Sequence, residues 1–185
     1  MRNMKLFVVA AIGVASCLMG VSVRAIQKNP ASQPDSSAGA LPSGSDGKPL
    51  NLDFETGTLK DWTATGDAFA GQPIKGDAVS SRRKDMKSGH AGEYWIGGFE
   101  RAGDKPQGTL TSVPFKVTHP WASFLVGGGP HPTTCVELVR KDTNEVFFRV
   151  SGEETEIMRR IAVDLQPHTG KEILVRLVDK HNGHW

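Results

Sequence analysis

The residues best equipped for chemistry lie in a few short clusters. Arg82, Arg83 and Lys84 are consecutive, and His90 follows in the same stretch. A guanidinium is a planar fork that suits a carboxylate, a sulfate or a vicinal hydroxyl pair, whereas a lysine is only a point charge. Asp77 and Asp85 flank the cluster, so a solvated loop is the competing reading. Gly127-Gly128-Gly129-Pro130-His131 lacks the Gly-Lys-Ser/Thr of a phosphate loop, and no helical pattern follows it. Its glycines suit a tight bend at a rim, or a backbone that approaches a ligand closely. Trp62, Trp95, Trp121 and Trp185 could stack on a sugar ring. Trp62 and Trp121 sit within apolar alternations, which predicts burial. Trp95 alternates against Tyr94 and Ile96, which points it toward a ligand or a neighbouring loop.

Other chemistries find less support. The six histidines (90, 119, 131, 168, 181 and 184) follow no zinc spacing. No Gly-x-Ser-x-Gly is present, and Glu93, Glu100, Asp164 and Asp179 have no spacing that pairs them as glycosidase carboxylates. No catalytic residue is predicted, and the chain reads as a non-enzyme.

The elements that must position these residues read as strands. Of 185 residues, 21 are glycine and 11 proline, with no long run of helix formers, which favours one turn-rich all-β domain. Strands are predicted at 50–55, 62–69, 93–100, 109–117, 121–126, 134–141, 145–150, 157–165 and 172–179. Val136 to Val150 reads as a hairpin turning at Asp142-Thr143-Asn144. Residues 75–92 are predicted to form a long loop. Residues 26–49 hold four prolines, five serines and three glycines, and read as a disordered linker before a module spanning 50–185.

Residues 1–25 read as a secretory signal peptide. Arg2 and Lys5 precede an uncharged apolar run from Leu6 to Val21, and Val23-Arg24-Ala25 places small residues at the −3 and −1 positions of a cleavage site. The competing reading is a lipobox, Val14-Ala15-Ser16-Cys17, that would anchor the chain through a lipid on Cys17. The apolar run is shorter than the roughly 20 residues that span a bilayer, so no transmembrane segment is expected in the mature chain. Cleavage leaves Cys135 without an intramolecular disulfide partner. It also removes Arg2, Lys5 and Arg24, which turns the net charge of +2 into −1 and leaves no basic field for nucleic acid.

The ordered blocks 53–62 (DFETGTLKDW), 92–100 (GEYWIGGFE), 108–117 (GTLTSVPFKV), 121–131 (WASFLVGGGPH), 136–152 and 163–185 resemble a secreted galactose-binding-like β-sandwich module. Such modules occur beside family-32 glycoside hydrolases of the levanase and invertase type, and at the N-terminus of planctomycete exported proteins that continue into cytochrome c-type domains. The resemblance implies an antiparallel jelly-roll sandwich. It also implies that Gly128 and His131 share one rim with Arg82, Arg83 and His90, forming a polar pocket with Asp179 and His184. Asp53 and Glu55 resemble an opening strand at which an acidic residue helps to hold a structural calcium, with solvent-facing edge positions as the competing reading. In that family the last block runs on into a further strand. The turn signal His181-Asn182-Gly183 is therefore read as lacking its partner strand, which would leave 172–179 with unpaired backbone.

The expected function is an exported, periplasmic or extracellular, non-catalytic module that binds a glycan or another polar small ligand, or serves as an accessory domain. Its alternatives are a docking module for a protein partner at the cell surface, or a fragment of a larger exported haem-containing or glycoside hydrolase protein. Mass spectrometry of the exported protein should find Ile26 at the N-terminus; an acylated Cys17 there would establish the lipid anchor instead.

Overall fold

A computed structural model describes residues 7–9 and 39–183. The expected cleavage site, Cys17, His184, Trp185 and residues 26–38 of the expected linker lie outside the described residues. Among the described residues eleven strands form two antiparallel sheets, as expected of a β-sandwich. The first sheet has the order β10 (Thr155–Asp164), β7 (Trp121–Gly128), β1 (Phe7–Val9), β4 (Tyr94–Gly97) and β3 (Ile74–Lys75). The second runs β2 (Trp62–Gly66), β5 (Gly108–Ser112), β11 (Glu172–Asp179), β8 (Thr134–Arg140) and β9 (Val146–Val150), with β6 (Phe115–Lys116) also paired to β11.

Period-two alternation builds the core between the sheets. Ile96, Phe124, Val126, Ile161 and Val163 of the first sheet share one buried cluster with Leu110, Val136, Leu138, Val175 and Leu177 of the second. On the outer face of the first sheet, Trp95, Leu125 and Met158 form a second cluster with Ile74 and Val79. The strand-poor stretch after β3 covers that face, and it contains a short helix, α1 (Ala78–Arg82). Asp77 caps α1 by accepting from the backbone N–H groups of Val79 and Ser80 at 3.2 and 3.4 Å.

Several expectations change. Residues 50–55 are turns, because Phe54 adopts φ 65° and breaks any strand there. Leu52 and Phe54 are nevertheless fully buried, and Phe54 stacks on Trp62 at 4.9 Å. The 93–100 strand stops at Gly97, where α2 (Gly98–Ala102) begins. The 109–117 strand is split at Val113-Pro114, since proline has no N–H for the ladder. The ordered unit also extends back past Leu50: Leu41 packs on the main core, Ser43 bridges Pro49, and the Leu50 N–H donates to the Pro42 carbonyl at 2.8 Å. Finally, β11 has β5 on one side and β8 on the other, so its backbone is paired rather than exposed.

Asn51 holds the turn region against the core. Its amide donates to the carbonyls of Thr58 and Lys60 at 2.9 and 3.2 Å, and its side-chain oxygen accepts from the Thr56 N–H at 3.1 Å. Its own carbonyl accepts from Trp62 Nε1 at 2.8 Å. Truncating this buried amide leaves three backbone groups without that partner. Asn51→Ala should therefore lower the unfolding free energy by about 2–4 kcal/mol, read from urea denaturation.

Candidate functional site

The strand directions bring several of the expected site residues to one end of the sandwich. β7 ends at Gly128, and β8 begins six residues later at Thr134. Asp179 at the end of β11 lies opposite Thr134 and Gly108. Thr155 at the start of β10 pairs with Gly128, and β4, which is parallel to β7, delivers Gly97 and α2 to the same end. His131 stacks on His181 with ring centroids 3.7 Å apart, and its carbonyl accepts from Ser151 Oγ at 2.8 Å. Gly128 is buried and its carbonyl accepts from the Glu154 N–H at 2.9 Å. A Cβ on Gly152 would collide with that carbonyl, so the missing side chain of Gly152 permits this close backbone packing.

Arg82 is the most heavily engaged of the expected ligand residues. Its Nη2 donates to Glu100 Oε1 at 2.8 Å and to Glu156 Oε2 at 3.1 Å, and its guanidinium carbon lies 4.9 Å from the Phe99 ring centroid. The two carboxylate side chains are 4% and 1% exposed. Arg82 is shared between the two buried acids. Burial pushes the Glu100 carboxyl up to about 7, the Arg82 charge opposes that rise, and the Glu156 charge adds to it. A carboxyl with that value has the acidity of a general acid, but its burial leaves little room for a substrate. The cluster acts as a clamp that ties α1 to α2 and to β10, and it occupies the fork that would have met a ligand.

The other expected residues are placed as follows. Arg83 forms a bidentate pair with Asp85, at 3.1 and 2.7 Å, on the surface. His90 Nδ1 lies 2.6 Å from Ser88 Oγ, and its ring stacks on Trp95 at 5.7 Å. Trp95 is fully buried and donates from Nε1 to the Gly76 carbonyl at 2.7 Å, so the ligand-facing role expected for it becomes a packing role against the neighbouring loop. Asp53 and Glu55 do not share a strand face. The Glu55 carboxylate accepts from the backbone N–H groups of Glu93 and Tyr94 at 3.0 and 3.1 Å, while Asp53 Oδ1 accepts from the Glu55 N–H at 3.3 Å. Among the described residues no group of three or more His, Cys, Asp or Glu is placed to hold a metal ion.

Trp121 departs from expectation in the opposite direction. It is 43% exposed, at the end of β7 remote from Gly128. Beside it is a cleft of about 240 Å³, lined also by Leu41, Phe115, Lys116, Thr118 and His119. Thr118 Oγ1 and His119 Nδ1 are 2.8 Å apart on its polar edge. The signal was present in the alternation: Ala122, Phe124 and Val126 point inward, which turns Trp121 out. The opposite wall came from Leu41, hidden in a stretch whose composition reads as linker.

One curated protein resembles the chain. It is "Putative glycosyl hydrolase ecdE" of Aspergillus rugulosus, 24% identical over 141 residues that cover 71% of this chain. They are 18% of the fungal protein, so the chain spans about a fifth of that relative. No family profile and no solved structure matches the chain. The fold and this similarity are compatible with a carbohydrate-related β-sandwich, and neither reaches as far as the family-32 or cytochrome-linked setting.

The Glu100 carboxyl provides a direct test of the clamp. In the folded chain it keeps its proton to about pH 7, against an ordinary value of 4.5, so unfolding between these values releases a proton and stability falls as pH rises. Glu100→Gln cannot ionise. Its stability relative to the parent should rise between about pH 4.5 and pH 7 and level off above, as read from urea midpoints; a constant difference would refute the raised value.

Proposed function

We propose that the chain is an exported, non-catalytic carbohydrate-binding or accessory module with a galactose-binding-like jelly-roll fold. Exposed Trp121 beside its cleft carries this reading. An indole face pairs with the C–H face of a sugar ring, and Lys116, Thr118 and His119 supply polar partners for hydroxyl groups along one edge. The similarity to a protein named as a glycosyl hydrolase supports the carbohydrate class. The engagement of Arg82 with Glu100 and Glu156 argues for the Trp121 cleft over the Gly128 end as the place where a sugar docks.

Retention on insoluble polysaccharides, backed by a glycan array, tests the proposal. The parent chain should bind at least one glycan, and Trp121→Ala should abolish that binding while its stability changes by no more than about 0.5 kcal/mol, as is usual for an exposed position. Failure of the parent to bind any glycan would favour the docking module at the cell surface. Binding that survives in Trp121→Ala would move the sugar site away from this cleft.

A further inference from the structure

The Trp121 cleft opens into a second one. Ser43, Phe115 and Lys116 line both, so the two form one groove with Lys116 at the junction. The second cleft measures about 550 Å³ and runs on past Lys60 and Glu172. Local alternation sets Lys116 there: Phe115 and Val117 are buried, so Lys116 and Thr118 turn outward together. The Val117 N–H donates to the Lys171 carbonyl at 2.9 Å, which holds this segment against the start of β11.

The two clefts differ in charge. The wall around Trp121 contains Lys116 and His119 and no carboxylate. Lys116 makes no ion pair among the described residues, although Glu172 is its register partner on β11. Its ammonium group offers donors only. Thr118 Oγ1 and His119 Nδ1 share a hydrogen bond at 2.8 Å, and whichever of them donates, the pair keeps a donor for a ligand. If the hydroxyl donates, the Nε2–H remains; if the Nδ1–H donates, the hydroxyl hydrogen remains. No carboxylate or amide side chain stands there to accept from a sugar hydroxyl. Such an edge suits a group that only accepts, and charge-assisted bonds from lysine favour an anionic one.

The second cleft is mixed. Asp46 Oδ1 accepts from the Lys48 N–H at 3.0 Å, and Asp61 Oδ2 accepts from the Asn51 N–H at 2.8 Å, so backbone groups engage both acids. Lys60 and Glu172 are exposed and lie in the same cleft. Acids and bases together provide acceptors and donors for hydroxyl groups. We propose that the groove takes an acidic glycan, with the ring on Trp121 carrying a carboxylate or sulfate that pairs with Lys116 and the next ring lying in the second cleft. This assignment rests on the reading of the Trp121 cleft as a sugar site.

Calorimetry on the full chain with a galacturonate oligomer, a sulfated galactose oligomer and a neutral galactose oligomer tests it. At least one acidic oligomer should bind about fivefold or more tightly than the neutral one, and the preference should shrink as salt rises. The tighter of the two acidic oligomers tells carboxylate from sulfate. Lys116→Ala should remove the preference, Lys116→Arg should keep it, and Glu172→Gln should enlarge it. Trp121→Ala should weaken all binding. Equal affinity for acidic and neutral oligomers, or a preference that persists in Lys116→Ala, overturns the proposal and leaves the sugar site standing. Acidic binding untouched by Trp121→Ala also overturns it, since the contact would then be charge attraction without a stacked ring. If none of the three oligomers binds, the proposal falls, and the glycan array decides the sugar reading separately.

Discussion

Trp95 stands on the outer face of the first sheet, and its burial decides where the strand-poor stretch after β3 goes. Tyr94 and Ile96 turn toward the main core, so the alternation sends Trp95 to the other side. There it meets Leu125 and Met158 from two neighbouring strands. Val79, Ala78 and Met86 close over the group. The Trp95 indole N–H would be costly to bury alone, and the Gly76 carbonyl satisfies it. Once that cover is in place, α1 has a fixed position and Arg82 is held over the end of β10.

Charge is buried in two opposite ways in this fold. Glu137 on β8 lies between Arg149 on β9 and Arg176 on β11, each its register partner, with Arg149 at 3.0 and 2.7 Å and Arg176 at 3.4 Å. One acid there has two guanidinium groups, both partly open to water. At the other sheet one guanidinium serves two acids that water hardly reaches. Breaking such a pair leaves an uncompensated buried charge, which is why these contacts specify position more than they add stability. The lone thiol makes a related point: Cys135 is buried, and desolvation pushes it up to about 11, with the Glu137 charge adding to the rise, so it is a packing residue and a poor nucleophile.

Most strands were legible because their alternation is local. Val136 to Val150 folds as the hairpin that its turn residues indicate, with Asn144 at φ 56°. The failures share a cause, which is that nothing in a local pattern states what covers a face. Phe54 reads as part of a strand, yet it reaches the core from a turn held by Asn51, eleven residues from Trp62 in sequence. Trp95 and Trp121 both lie on outward faces of the first sheet. Segment 75–92 covers one and leaves the other exposed, and only tertiary placement separates them. The ring of contacts around Arg82 was equally invisible, since Glu100 and Glu156 are 18 and 74 residues away.

β7 links these features mechanically. Its inner residues Ala122, Phe124 and Val126 anchor it in the core, and β10 pairs along its outer edge from Trp121 to Val126. Trp121 stands at one end, and the residues that face β1 occupy the other. Trp121 and Val126 are five residues apart, or about 16 Å along an extended strand. A sugar ring on the indole and a strand beside Val126 would therefore not compete for space. They would share a rigid element instead: pairing with β1 on one edge and β10 on the other completes the hydrogen bonding of β7 and restrains the strand on which Trp121 is mounted.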